Sequence, residues 1–149
     1  LIDYVEVTVG DSQWLASNIH DVITRGGELN SSYKYTIGKQ LQTLVISYGY
    51  IHDNYTKTVN SRYALNSLKH NINLLFLNRL SPKWSTSFSY RYATRPLGGH
   101  FKVLNAQLEY VMDKFTIEIQ GRNLFDASYY ENLIPMPGAH GMLSLRYAF

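Results

Sequence analysis

The chain has no cysteine, four prolines in 149 residues, and only 17% charged side chains. Without cysteine there is neither a disulfide scaffold nor a cysteine-based zinc site. A disordered segment is excluded as well, because 45% of residues are hydrophobic and 14% aromatic, including thirteen Tyr. Long apolar runs are also missing: the longest unbroken one is Leu74 to Leu77, against the roughly 20 residues a membrane helix needs. The 14 Lys and Arg exceed the 11 Asp and Glu by a net +3, and they are scattered singly. A nucleic-acid surface would cluster them, so no nucleic acid is expected as a partner. No signal peptide opens the chain; Leu1-Ile2-Asp3-Tyr4 already reads as strand, which suggests a removed leader or a start within a longer protein.

What is present is alternation. Phe115, Ile117 and Ile119 alternate with Thr116, Glu118, Gln120 and Arg122. Leu143, Leu145, Tyr147 and Phe149 alternate with Met142, Ser144, Arg146 and Ala148, and Trp84, Thr86, Phe88, Tyr90 and Tyr92 with Ser85, Ser87, Ser89 and Arg91. Successive side chains of a strand point to opposite faces, so each segment has an apolar face and a polar one. The pattern predicts about eight strands, near 2–8, 22–36, 41–52, 65–78, 83–94, 102–112, 114–123 and 141–149. Short turns at Ile37-Gly38-Lys39-Gln40, Leu80-Ser81-Pro82 and Met112-Asp113-Lys114 alternate with long connections over 9–21, 53–64, 95–101 and 124–140.

Short turns on one rim and long loops on the other describe an antiparallel up-and-down transmembrane β-barrel. Strand length agrees, since membrane strands need about 9–11 residues and soluble ones average about 5–6. Aromatics fall at two levels of the apolar face. Tyr35, Trp84, Phe115, Tyr147 and Phe149 lie near the short-turn rim, and Tyr50, Tyr90 and Tyr92 nearer the long loops. Trp84 and Tyr92 stand roughly 20 Å apart along the membrane normal on a tilted strand, close to the thickness of an apolar band. A soluble sandwich or lipid-binding barrel also alternates, but it does not call for long strands, two aromatic levels and alternating loop lengths together.

The polar face would then line a lumen, where Glu109, Glu118, Arg122 and Arg146 are placed to pair between the last strands. No catalytic constellation emerges. The five His, at 20, 52, 70, 100 and 140, lack ligand spacing, so neither enzyme activity nor a metal or cofactor is expected. Gly26-Gly27 reads as a strand kink or bulge and Gly98-Gly99 as a loop bend.

The last thirty residues carry motifs. Gly121-Arg122-Asn123-Leu124-Phe125-Asp126, Tyr129-Tyr130-Glu131, Pro135-Met136-Pro137-Gly138 and Met142 to Phe149 resemble the tail of TonB-dependent outer-membrane receptors. Trp14 to Ile19, Gly27-Glu28-Leu29, and Tyr63-Ala64-Leu65 followed by Lys69-His70 are similar to the cobalamin and siderophore group of that family. Ala139 departs from the family, in which Arg often follows the Pro-Gly.

The resemblance implies that residues 1–149 are the last third of a barrel of roughly 22 strands, with the plug domain outside this chain. It implies TonB-coupled uptake of a scarce large ligand, a corrinoid or iron chelate, across the outer membrane of a Gram-negative bacterium. Expected partners are the remainder of the receptor, TonB acting through the plug, the barrel-assembly machinery, and outer-membrane lipid and lipopolysaccharide. Leu143, Leu145, Tyr147 and Phe149 would be the assembly signal, and Asn123, Leu124, Phe125, Asp126, Pro137 and Gly138 the family motif. Candidate ligand contacts, taken from loop position and side-chain type, are Trp14, Tyr55, His100, Tyr130 and His140. The competing reading is a complete eight-stranded outer-membrane barrel with an adhesive or structural role, in which strand 2–8 would pair with strand 141–149.

Overall fold

The computed structural model describes the backbone of residues 2–6 and 14–18, and backbone and side chains of 23–54, 67–95, 99–131 and 134–149. Among these the chain is all-β. Its strands are β1 (Ile2–Glu6), β2 (Trp14–Asn18), β3 (Ile23–Ile37), β4 (Gln40–Asn54), β5 (His70–Arg79), β6 (Trp84–Arg95), β7 (Gly99–Met112), β8 (Phe115–Arg122), β9 (Tyr130–Glu131), β10 (Ile134–Pro135) and β11 (His140–Tyr147). Seven form one antiparallel sheet in the order β11-β8-β7-β6-β5-β4-β3, and β1-β2 and β10-β9 form separate two-stranded hairpins.

The alternating segments become strands because a period of two sorts side chains by face. Register then aligns those faces across the whole sheet. Tyr35 pairs with Gln42 and Leu44 with Phe76. Phe76 pairs with Phe88, Phe88 with Ala106, Leu108 with Ile119 and Ile119 with Leu143. One face is therefore predominantly apolar, hereafter the outward face, with Gln42 and Asn78 among its few polar positions. The other gathers most of the serines and asparagines and all of the strand carboxylates of this sheet.

The short turns explain the hairpins. Gly38 (φ 61°) and Asp113 (φ 44°) take the left-handed backbone that two-residue hairpin turns require. In the Arg79-to-Trp84 turn, the Ser81 hydroxyl accepts from the amides of Lys83 (3.3 Å) and Trp84 (3.1 Å).

Differences from the expected strands have physical causes. The predicted loop 9–21 contains β2, which pairs with β1 from Ile2↔Asn18 to Glu6↔Trp14. The strand expected near 2–8 is β1, and β2, at five residues, is too short for a period of two to register. Residues 124–140 likewise contain β9 and β10, too short for a period to register. The strand expected from 65 begins at His70, with 65 and 66 outside the described residues.

Little apolar surface is buried: among the described residues Ala93, Phe101 and Val103 form the buried apolar cluster, on the polar face beneath Tyr129. Along β8 the apolar Ile117 and Ile119 are exposed (36% and 53%), while the alternating Thr116, Glu118 and Gln120 are partly shielded. The aromatic levels sit on the outward face. Trp84 packs on Tyr110 and Phe115 on Tyr147 near the short turns, with ring centroids 4.4 and 4.8 Å apart. Toward the long connections Tyr50 packs on His70 and Tyr90 on Phe125.

Gly26 is the close approach within the sheet: a Cβ there would drive into the Tyr50 carbonyl oxygen, whereas nothing lies within 4 Å of one at Gly27. Gly26→Ala is expected to cost about 1–3 kcal/mol by overpacking. Amide hydrogen exchange should show lost protection along β3 and β4 near Tyr50 for that variant, and little change for Gly27→Ala.

Candidate functional site

The polar face of the sheet holds two open clefts. The larger, about 600 Å³, lies toward the short turns, lined by Leu41, Thr43, Leu77, Ser85, Gln107 and Glu109 among others. The smaller, about 320 Å³, lies among Ser87, Ser89, Asn105, Gln107, Gln120 and Arg122. The face is not uniformly polar, since Leu41 and Leu77 are exposed on it.

Glu109, Glu118, Arg122 and Arg146 do not form ion pairs with one another. Register sets Glu109 directly opposite Glu118, and Arg146 opposite Thr116. The charges are instead linked along β8 through an amide. The Gln120 Nε2 donates to Glu118, and its Oε1 accepts from Arg122 Nε (3.2 Å) and a terminal guanidinium nitrogen (3.1 Å). An amide can serve both signs at once because it carries a donor and an acceptor. Ser85 donates to Glu109 at 3.1 Å.

Segment 124–140 folds back over the polar face near the long connections. Tyr129 stacks on Phe101 with centroids 4.6 Å apart, Glu131 pairs with Arg91, and the Arg95 guanidinium donates to the Tyr130 carbonyl at 2.7 Å. The Arg91 guanidinium also lies 5.5 Å from the Phe101 ring centroid. Burial raises the Tyr129 hydroxyl pKa, the Glu131 charge adds to this, and Arg91 opposes it. Tyr129 is thus a neutral phenol at ordinary pH, and the segment is a strap held by this stack, the ion pair and the Arg95 hydrogen bond.

The residues resembling a family motif anchor this strap. Asn123, only 3% exposed, adopts φ 49° and is bonded on every side. Its amide donates to the Asn105 Oδ1 (2.9 Å), its Nδ2 donates to the Ala127 (2.9 Å) and Pro137 (3.0 Å) carbonyls, and its Oδ1 accepts from Ala127 N (3.0 Å). Asparagine suits the post because its short amide bonds locally while tolerating the left-handed region. Asp126, at φ 51°, accepts the Ala139 amide at 2.8 Å. Position 139 is used through its backbone, so the Ala that stands there keeps this contact. Leu124 and Phe125 point outward: Leu124 covers Gly121, and Phe125 lies beneath the Lys102 ammonium, 5.5 Å from the ring centroid.

Of the five candidate ligand contacts, His100, Tyr130 and His140 have described side chains, and His100 and His140 lie on opposite faces of the sheet. Tyr55 lies outside the described residues, and Trp14 is described only as backbone, opposite Glu6 in the β1-β2 hairpin. His100 projects from the outward face of β7, its ring 5.9 Å from Tyr92. His140 belongs to the opposite face, level with Arg122, its Nδ1 2.9 Å from the Gly138 carbonyl oxygen. Tyr130 is exposed at 59% and contributes its carbonyl to Arg95. Sequence reasoning passed over Arg91, Arg95, Phe101 and Glu131, whose association spans up to 40 positions and leaves no local pattern. It also passed over Gln42, 2% exposed, whose Nε2 donates to the Arg79 carbonyl at 3.0 Å.

Comparisons with protein-family models, curated proteins and solved structures find no match for this chain.

A Cβ at Gly138 would lie 2.6 Å from the Asp126 carboxylate oxygen that accepts the Ala139 amide, so that carboxylate would have to move. Gly138→Ala is expected to break the Asp126–Ala139 contact and destabilise the strap by about 1–2 kcal/mol. In a double-mutant cycle, Asp126→Ala should add little to Gly138→Ala; additive losses in limited proteolysis of 126–139 would show the two act separately.

Proposed function

We propose that this chain is a section of the wall of a transmembrane β-barrel, the C-terminal portion of a TonB-dependent receptor that takes up a scarce large ligand of corrinoid or iron-chelate type. One observation carries the reading: along β8 the apolar Ile117 and Ile119 are exposed while the alternating Glu118 and Gln120 are partly shielded. Water rewards the opposite arrangement, and hydrocarbon rewards this one. The strands support it, running 15 residues in β3 and β4, 12 in β6 and 14 in β7. So do the aromatic levels, which belong where a ring is half dry and half wet.

The chain performs no bond chemistry in this reading. It supplies part of a lumen wall and the strap of segment 124–140, which narrows the lumen on the long-loop side. The remaining barrel, the plug through which TonB acts, and the assembly machinery that reads Leu143, Leu145, Tyr147 and Phe149 are its partners. The setting is the outer membrane. In an eight-stranded closure β1 would lie beside β11; among the described residues the two are not paired, β1 belonging to a separate hairpin with β2. We favour a barrel built from further polypeptide on both edges of the sheet.

Ile117→Arg should lower stability in reconstituted bilayers by about 2–4 kcal/mol, and Glu118→Gln by far less. Equal costs would reject the assigned facing. Deleting Phe149 should slow insertion into the outer membrane without altering the β-content of the assembled protein. Intact mass of the purified assembly should reveal a companion polypeptide or a longer parent chain.

A further inference from the structure

The outward face is sorted by charge as well as by polarity. Following register from β3 to β11, its strand positions contain no Asp or Glu. Glu28, Asp53, Glu109 and Glu118 all project from the polar face, paired opposite Gly49, Thr24, Ser85 and Ser144. Asp53 is held there by Thr24 (2.7 Å) and Ser67 (2.9 Å).

Basic groups at strand positions of the outward face gather at the long-connection end, while at the other rim the turn residue Lys114 lies over Tyr147. Arg25 stands opposite His52, and Tyr50, His70, Thr94 and His100 form one row across four strands. Lys102 lies opposite Tyr92 in the adjacent row. Arg25, His52, His100 and Lys102 are exposed. The rings of this zone hold the bases in place: Tyr48 hydroxyl lies 2.9 Å from His70 Nδ1, Tyr50 packs on the other side of that ring, and Lys102 sits over Phe125. Below, toward the short turns, come Ile46, Leu74, Phe76, Phe88 and Leu104. The order along the normal is hydrocarbon-like, then aromatic, then basic without any acid.

Resting on the membrane-wall reading, we propose that this rim is a binding surface for the anionic, phosphate-bearing headgroup of a lipid in the leaflet on the long-loop side. Arg25 and Lys102 supply fixed charge, and His52 and His100 supply imidazole donors to phosphate oxygens. The tyrosines bury the upper ends of the acyl chains. An acidic protein partner would need no apolar band beneath the bases, whereas a lipid supplies both headgroup and chains. The absence of outward acids removes the repulsion a phosphate would otherwise meet.

The test uses the full chain, with any polypeptide that copurifies, partitioned onto vesicles of phosphatidylcholine alone or with about a third phosphatidylglycerol. Two doubly substituted variants remove the same charge, Arg25→Gln with Lys102→Gln on the outward rim and Lys34→Gln with Arg146→Gln on the polar face. The wild type should favour the anionic vesicles, the outward pair should lose about tenfold of that preference, and the polar-face pair should keep it. Millimolar inorganic phosphate should not compete. Equal loss in both pairs, or no preference in the wild type, overturns the proposal. Binding to phosphatidylcholine without preference would leave the membrane wall standing and remove only the headgroup site. Binding to neither vesicle would remove both.

Discussion

A single antiparallel layer has two faces and no interior, and this constraint governs everything else about the chain. Three small or aromatic side chains, Ala93, Phe101 and Val103, are all the apolar material that the described residues bury together. Leu143 and Leu145 remain 75% and 69% exposed. A domain stabilised by water's exclusion of apolar surface cannot be built that way, because the driving term scales with area removed from water. Among the described residues nothing apolar covers the outward face. In the membrane-wall proposal hydrocarbon would cover it and the aromatic levels would mark its two borders.

The polar face faces the complementary problem, that charge away from bulk water must be partnered. The solution is local and economical in residues. One glutamine links a carboxylate to a guanidinium along β8, one serine serves Glu109, and the returning strap brings Glu131 to Arg91. The strap in turn depends on Asn123 and Asp126 holding left-handed backbone with their side chains bonded to the chain that follows. A turn motif thus fixes where a long connection lies, and so how much of the lumen side it covers.

Strand content and facing were legible in the sequence because alternation is a local signal and runs unbroken through β6, β8 and β11. The motif residues from Asn123 to Gly138 were legible too, since their turn chemistry resides in residue type. Register was not. Whether His100 and His140 meet depends on pairings across β7, β8 and β11, and these set the two on opposite faces. The Arg91–Glu131 and Phe101–Tyr129 contacts escaped for the same reason: each joins residues far apart in sequence through a fold-back that no periodicity announces. The strand expected near 2–8 is β1, but its partner β2 escaped, because Trp14 to Asn18 is too short a stretch for a period of two to announce.

The edges of the sheet bear on what the chain can be. Among the described residues, β11 pairs only with β8 and β3 only with β4, so each presents a row of amides and carbonyls on its far side. In water such an edge is a site for adventitious pairing, and in hydrocarbon each unpaired group costs several kcal/mol. The two edges differ in length, 15 residues in β3 and 8 in β11. Direct closure of β3 onto β11 would leave about half of β3 without a partner, and seven strands would meet in parallel at the seam, since β3 and β11 run in the same direction. An antiparallel barrel therefore needs an odd number of additional strands between these edges, whether they come from elsewhere in a longer protein or from a companion. Under the membrane-wall proposal, the facing that would set this sheet in hydrocarbon is thus the same feature that would make an isolated seven-stranded sheet an incomplete structure.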